Sequence, residues 1–225
     1  MRLARALVAI SALVVTRIPL SMAQHSADGF YAGIRFGCSS LDTPKERDRP
    51  GPGLLGYDRN SMTWSAFAGH LWRASPRVRI GAEIGYADNG RATITYASAN
   101  EYSFRSTQLD ILGSATIAVG RGFGAFAKGG VGRVKQVYRL SKYTSGTPDL
   151  NSQFTKDLPV AAVGIGRSLS SWAYCFAEVR RTFGDRTGKV TEALTNSNPT
   201  PPPYRDMLTS VARVDALSVG LGFFF

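Results

Sequence analysis

The amino-acid sequence is poor in the side chains that most often carry metal or acid–base chemistry. It has two histidines, His25 and His70, and two cysteines, Cys38 and Cys175. No His, Cys or carboxylate residues cluster at the spacings of metal ligands, so we expect no metal and no other cofactor. Residues 120–124 superficially resemble a phosphate-binding glycine loop, but that motif requires a helix after it, and here another strand pattern follows.

Long apolar runs are also missing after the first residues of the chain. Residues 1–23 have the three parts of a secretory signal peptide, which are Arg2 and Arg5, an apolar stretch over 6–15 and a small-residue cleavage site at 21–23. That stretch is too short for a transmembrane helix, which needs about 20 apolar residues. The exported part, residues 24–225, is therefore expected to be soluble outside the cytoplasm or to enter a membrane as β-strands.

Acidic residues are few beside basic ones. The chain has 16 Asp and Glu against 27 Lys and Arg, a formal charge of +11. Removal of the signal peptide takes away Arg2, Arg5 and Arg17 and leaves +8. An electrostatic partner must share the compartment, so export argues against nucleic acid and favours the phosphates of lipopolysaccharide.

Period-two alternation recurs along residues 24–225 and indicates β-strands in a single domain. It predicts eight strands, over 29–38, 62–72, 77–87, 105–119, 123–137, 158–168, 172–184 and 211–225. Tight turns at 73–76, 120–122 and 169–171 alternate with long polar segments at 39–61, 88–104, 138–157 and 185–210. This asymmetry is typical of an all-β, eight-stranded antiparallel up-and-down transmembrane β-barrel, with short periplasmic turns and long extracellular loops.

The alternation alone does not say which face of the sheet points inward. A lipocalin is also an eight-stranded barrel, but its apolar face surrounds a ligand. On the third predicted strand Ile80 and Ile84 share an apolar face, while Arg79 and Glu83 share a polar face with glycines. Such a polar face suits a narrow interior filled by side chains. Together with the loop asymmetry and the Phe residues at 223–225, it favours a barrel whose apolar face meets lipid.

The predicted topology sets the distance between the members of two residue pairs. Trp64 and Trp72 share one face about 26 Å apart at the strand rise, close to the height of an apolar band about 25 Å tall with aromatic girdles. Cys38 is predicted near the outer end of the first strand and Cys175 near the inner end of the seventh. A disulfide allows only about 7 Å between Cα atoms, so we expect both cysteines to be unpaired.

Four segments resemble the eight-stranded outer-membrane barrels of the OmpA and OmpX type. They are FYAGIRFG at 30–37, AEIGY at 82–86, AEVR at 177–180 and the closing strand at 216–225. The resemblance covers essentially all of the chain after the signal peptide. It implies a compact barrel in the bacterial outer membrane, with a charged interior network in place of an open channel.

The resemblance also implies roles for individual residues. By matching positions, the interior network would contain Arg35, Glu83, Lys128 and Glu178, and Asp110 joins them by its own parity on the fourth predicted strand. A C-terminal insertion signal, directed to the barrel-assembly machinery, would consist of Leu221, Phe223 and Phe225.

The sequence departs from the family pattern at some interior positions. Gly166 and Phe176 stand where further charged residues are expected, so the network would be smaller or shifted toward Arg79 and Arg180. Longer members of the family carry a periplasmic peptidoglycan-binding domain. None is expected here, because the chain ends with the eighth predicted strand.

Three functions are compatible with such a barrel. Lipid A deacylases and acyltransferases need a His beside a Ser and a carboxylate, but His25 follows the cleavage site and His70 lies on the face assigned to lipid. A small passive pore is the second alternative, and a lumen plugged by Arg35 and Glu83 predicts little or no conductance. We therefore predict a structural or surface-interaction protein without enzymatic activity, with the other two functions as alternatives.

The partners are expected at the outer end of the barrel. Basic residues gather next to the long loops, namely Arg105, Arg133, Lys135, Arg180, Arg181 and Arg213. Those that point outward could hold lipopolysaccharide phosphates, or only mark the edge of the apolar band, where a charge costs about 0–1 kcal/mol. The proline-rich stretch 199–204 could present side chains to an extracellular protein, or be no more than a soluble loop. Outer-membrane lipids complete the expected partners.

Overall fold

The computed structural model describes residues 29–41, 54–58, 60–96, 101–120, 122–142, 151–185, 190–193, 205–208 and 211–225. The predicted signal peptide, His25 and the proline-rich stretch 199–204 lie outside the described residues. The strands are β1 (Gly29–Leu41), β2 (Leu54–Asp58), β3 (Asn60–Arg73), β4 (Val78–Tyr96), β5 (Glu101–Gly120), β6 (Phe123–Lys142), β7 (Asn151–Ser168), β8 (Ala173–Thr182), β9 (Val190–Ala193), β10 (Arg205–Leu208) and β11 (Val214–Phe224).

Eight of these strands close into a barrel. The order is β1, β3, β4, β5, β6, β7, β8 and β11, each strand runs antiparallel to the next, and β11 pairs back with β1. The predicted all-β, eight-stranded up-and-down barrel is therefore confirmed. β2 pairs with the outer part of β4, and β9 and β10 form a separate two-stranded sheet. Within the described residues no helix is long and apolar enough to span a bilayer.

Several strands run further than the alternation predicts. β4 and β5 continue through most of segment 88–104, with pairing as far as Thr95 and Glu101, so the prediction of a long loop there is wrong. β6 and β7 likewise extend into segment 138–157. At the outer ends of these hairpins the outward positions become polar, so the period-two apolar signal is lost while the ladder of backbone hydrogen bonds continues.

The pairing register sets the tilt of the strands. A path through paired residues leaves β1 at Tyr31 and returns to β1 at Leu41, ten residues further along. For eight strands this stagger corresponds to a tilt of roughly 40° from the barrel axis. Trp64 and Trp72 are therefore only about 20 Å apart along the axis, and together they do not span the full apolar band. Met62, which is 82% exposed, continues that band outward.

Large apolar side chains lie on the outside of the barrel and charged ones on the inside. Ile111 is 68% exposed and Ile165 63%, whereas Asp110 and Glu178 are each 1% exposed. This is the reverse of a lipocalin, so the prediction of a lipid-facing apolar surface is confirmed. Both cysteines are free thiols, as expected.

A bulge interrupts the pairing of β4 with β5. The register shifts by one residue between Asp88 and Arg91, so Asn89 and Gly90 together oppose a single residue of β5. Gly90 has a φ of 77°, and a Cβ on it would lie 2.5 Å from the carbonyl oxygen of Met62. Both the backbone conformation and the lack of space require glycine at this position.

We predict that Gly90→Ala destabilises the folded barrel more than Gly120→Ala does. Gly120 also has a positive φ, 111°, but open space surrounds it. The control should therefore lose about 1–2 kcal/mol of unfolding free energy through conformation alone. Gly90→Ala adds a clash with backbone and should lose about 3 kcal/mol or more. Urea unfolding of both refolded variants measures the difference, and equal losses would show that the bulge has room for a side chain.

Candidate functional site

Four charged side chains meet at the centre of the barrel and form what we call the ionic ring. They are Arg35 from β1, Glu83 from β4, Lys128 from β6 and Glu178 from β8. The Lys128 Nζ lies 2.8 Å from Glu83 Oε2 and 3.0 Å from Glu178 Oε2. Arg35 donates to Glu178 through Nη1, and its Nη2 lies 3.5 Å from Glu83 Oε1. Each cation therefore contacts both carboxylates.

The ring forms because all four residues occupy inward positions at a similar height of a narrow barrel. Their side chains are at most 8% exposed. Charges this well shielded from water need close partners of opposite sign to offset their desolvation. Two further contacts orient the ring, since Arg35 Nε donates to Ser65 Oγ and the Tyr31 hydroxyl donates to Glu83 Oε2 at 3.0 Å.

A second buried ion pair lies next to the ring, toward the outer end of the barrel. Arg180, two residues beyond Glu178 on β8, donates to Asp110. Asp110 also accepts a hydrogen bond from Gln108. Gln108 in turn accepts hydrogen bonds from Thr182 at 2.9 Å and Asn89 at 3.4 Å. Asp110 is thus inside the barrel as its parity predicts, but it pairs with Arg180 and not with the ring.

Placing Arg180 among the outer rim residues is wrong. Its side chain is only 7% exposed, because Tyr174, Phe176, Glu178 and Arg180 alternate on the inward face of β8. The predicted shift of the network toward Arg180 is closer to what is observed. Arg79 is half-buried near the start of β4.

Aromatic side chains fill the lumen on the inner side of the ionic ring. We call this group the aromatic cluster. Its buried members are Tyr31, Phe67, Phe176 and the aliphatic Leu71, and Phe126, Tyr174 and Phe224 pack against them. Lys128 Nζ lies 5.0 Å from the Phe126 ring centroid and 5.2 Å from that of Phe67. The Arg35 guanidinium is 5.0 Å from the Phe67 centroid. These cation–π contacts join the aromatic cluster to the ring.

The outer part of the lumen is filled as well. Two apolar clusters occupy it, one of Leu41, Ala92, Phe104, Tyr138 and Val214, the other of Val134, Leu158 and Val211. Gln136 exchanges two hydrogen bonds with the backbone of Ala212, at 2.9 and 3.1 Å, and so holds the segment before β11 against the wall. A small cavity lined by Arg35, Glu178 and Arg180 has room for about one water molecule.

The outward basic residues lie near the outer ends of the strands, most of them beside an aspartate. Arg181 contacts Asp215 at 2.6 and 3.2 Å, and Arg213 lies 3.5 Å from the same carboxylate. Arg133 is 3.8 Å from Asp157, and both side chains are well exposed. These rim pairs are separate from the interior network.

The residues predicted to form the insertion signal all face outward. Leu221 is 43%, Phe223 36% and Phe225 82% exposed. Phe223 stacks on Trp172 with ring centroids 5.8 Å apart. Such a surface presents aromatic rings at the inner membrane interface. Recognition by the barrel-assembly machinery stays a prediction.

His70 lies on the lipid-facing side of β3, as the sequence predicts. Its ring is 4.7 Å from the rings of both Phe30 and Trp72, and among the described residues its Nδ1 has no hydrogen-bond partner. In the described part of the chain no group of three or more His, Cys, Asp or Glu residues is arranged to hold a metal ion.

Comparison with known proteins places this geometry in a family. The model of the OmpA-like transmembrane domain matches residues 25–173. The chain belongs to the OmpA-like family. The resemblance seen in the sequence is thereby confirmed, and the protein is located in the bacterial outer membrane.

Relatives of this OmpA-like protein include outer membrane protein P5 of Haemophilus influenzae. The two are 29% identical over 150 residues, which is 63% of this chain and 41% of P5. The chain thus spans about two fifths of the length of the curated relatives it matches. Among solved structures, Neisserial surface protein A has 14% identity and a TM-score of 0.49 over 88% of this chain and 97% of its own. Ail, the attachment invasion locus protein of Yersinia pestis, has 10% identity and a TM-score of 0.49 over 88% and 100%.

We predict that Glu178→Gln strongly destabilises the barrel. The substitution leaves Arg35 and Lys128 with Glu83 as their one remaining carboxylate in the ring, and an uncompensated buried charge costs about 3–5 kcal/mol. The control is Asp157→Asn, which breaks the exposed pair with Arg133 and should cost about 0–1 kcal/mol. Urea unfolding of the refolded proteins measures both values. Similar losses for the two variants would mean that the ring does not stabilise the interior.

Proposed function

We propose that this OmpA-like protein is a structural and surface-contact component of the outer membrane. Its barrel is closed to solutes, and its outer end meets lipopolysaccharide and extracellular partners. The observation that carries the proposal is the filled lumen, in which the ionic ring lies between the aromatic cluster and two apolar clusters. A pore needs a continuous aqueous path, which wider barrels provide.

Catalysis is not part of the proposed function. Acyl transfer by histidine chemistry needs a base held beside a nucleophile and oriented by a third group. The described contacts of His70 are with the rings of Phe30 and Trp72. An amphipathic ring between aromatic neighbours suits the membrane interface, and we assign His70 to the inner aromatic girdle.

Contact with lipids and lipopolysaccharide is supported by the distribution of charge on the outside. The wall between the girdles exposes large apolar side chains, such as Ile84, Ile111 and Val163, which acyl chains can cover. Basic side chains, among them Arg91, Arg105 and Lys135, are exposed on the outward face at the outer end. Guanidinium groups there can make charge-assisted hydrogen bonds to phosphates of the outer leaflet.

The closed lumen predicts the electrical behaviour of the protein. Refolded protein that shows a heat-modifiable gel shift should add no reproducible conductance steps to a planar lipid bilayer, because the ionic ring and the aromatic cluster leave no water-filled path. An open porin inserted under the same conditions is the positive control. Steps that recur in independent insertions would favour the passive pore instead.

A protein without catalytic activity should affect the permeability of the cell envelope but not the chemical structure of lipid A. A strain that lacks the protein should take up a hydrophobic dye faster than its parent, because an envelope component is missing. Plasmid-borne wild type and His70→Ala should both restore the barrier, and neither should change the lipid A masses measured by mass spectrometry. If wild type alters the lipid A masses and His70→Ala does not, the enzyme alternative is correct.

A further inference from the structure

Two arginines face each other at the outer end of the barrel. Arg91 on β4 is the direct cross-strand partner of Arg105 on β5, and both side chains are exposed on the outward face. Like charges directly opposite each other destabilise an antiparallel pair. A counter-charge between them would turn this repulsion into attraction.

The bulge of β4 places Arg91 in this position. Without the extra residue, Arg91 would point into the barrel, because side chains alternate between the two faces of a strand. Gly90, which the bulge requires, therefore turns the Arg91 side chain outward. Bulges at barrel rims are known to re-aim side chains near functional sites.

A third cation lies on the next strand. Lys135 on β6 is paired with Thr107, the next outward residue after Arg105 on β5. None of the ion pairs found among the described residues of the rim involves Lys135 or Arg91. The carboxylate close to the group is Asp88, which accepts from the Gly90 amide at 3.0 Å and from Arg105 Nη2 at 2.6 Å. Asp88 therefore stabilises the bulge, orients the Arg105 side chain and balances one of the three positive charges.

Three other rim cations are better compensated. Arg181 and Arg213 share Asp215, and Arg133 lies beside Asp157. Arg91, Arg105 and Lys135 have a larger excess of positive charge than these two groups, and we call them the rim triad.

The rim triad lies at the outer boundary of the apolar band. On the same strands, toward the membrane, the outward residues are apolar or aromatic, and Tyr86, Leu109 and Val131 are 42%, 48% and 53% exposed. Phosphate groups of the outer leaflet lie at this boundary, directly beyond the acyl chains. Two guanidinium forks and an ammonium group match the oxygens of a phosphate monoester.

We propose that the rim triad binds a phosphate group of lipid A, and that the bulge at Asn89 and Gly90 exists to complete this site. The proposal rests on the lipopolysaccharide contact in the proposed function and specifies where it occurs. The ligand is a phosphorylated lipid and not free phosphate, because the acyl chains of such a lipid can pack against the apolar wall beside the triad while its phosphate contacts the triad.

The test measures binding of bisphosphorylated lipid A in mixed micelles to the full chain, refolded in detergent. Arg91→Gln/Lys135→Gln should weaken the affinity by about tenfold or more, since it removes two charge-assisted contacts. The matched control Arg181→Gln/Arg213→Gln also removes two rim cations and should change the affinity by about twofold or less. Dephosphorylated lipid A should bind wild type as weakly as bisphosphorylated lipid A binds the triad variant. A heat-modifiable gel shift verifies that each variant is folded.

Thermal stability gives a second readout. Arg91→Gln alone removes the repulsion from Arg105, so without lipid A its unfolding temperature should equal or exceed that of wild type. Lipid A should raise the unfolding temperature of wild type more than that of the variant. If Arg91 had only a structural role, Arg91→Gln without lipid A would instead unfold at a lower temperature than wild type.

Three outcomes would overturn the proposal. The first is unchanged affinity in the triad variant, and the second is an equal loss in the control variant, which would indicate general attraction to a basic rim. The third is binding of inorganic phosphate alone as tightly as lipid A, which would make free phosphate the ligand. The conductance and dye-uptake measurements do not involve these residues, so failure here is distinguishable from failure of the proposed function.

Discussion

In the core of a bilayer no water is available to satisfy backbone N–H and C=O groups, and a sheet there must close on itself. This constraint shapes the rest of the molecule. Closure with eight strands and a ten-residue stagger produces a narrow cylinder in which side chains from opposite walls contact each other. The interior must therefore be filled by side chains that pack together, and any charge among them needs a partner within reach.

The interior meets this demand by balancing its charges within short distances. Arg35, Lys128 and Arg180 supply three positive charges, and Glu83, Asp110 and Glu178 supply three negative ones. Rings of Phe67 and Phe126 face the cations from the inner side. Replacing an apolar core with paired charges is not in itself stabilising. Each ion instead pairs with a partner on a different strand, so the pairs link β1 to β8, β6 to β4 and β8 to β5.

Because the described side chains fill the lumen, the surfaces that they leave open to partners are the lipid-facing wall and the rim. The wall is apolar between aromatic girdles, and the rim carries arginines and lysines on neighbouring strands. Polar hairpins that continue beyond the apolar band extend this rim outward. The proposed function therefore depends on the outer surface, where some basic residues lie beside an aspartate and others do not.

The sequence by itself determined the fold class and, for most residues, whether the side chain points into the barrel or toward lipid. A period of two, apolar side chains on one face and charges with glycine on the other are enough to predict a lipid-facing barrel, because the pleat sends successive residues to opposite sides. The inward positions of Arg35, Glu83, Asp110, Lys128 and Glu178 followed from the family resemblance and from parity. The polar outer ends of β4 and β5 were missed, since hydrogen-bonded pairing there no longer leaves an apolar pattern.

Only the tertiary structure decided which charges meet. Asp110 pairs with Arg180 and Arg91 opposes Arg105, and neither pairing can be derived from alternation. The first depends on the stagger round the whole barrel, which brings β5 and β8 to matching heights. The second depends on a single extra residue at Asn89 and Gly90, whose dipeptide is a turn signal that can equally indicate a loop. Register is a property of all the strands together, so no single segment of the sequence contains it.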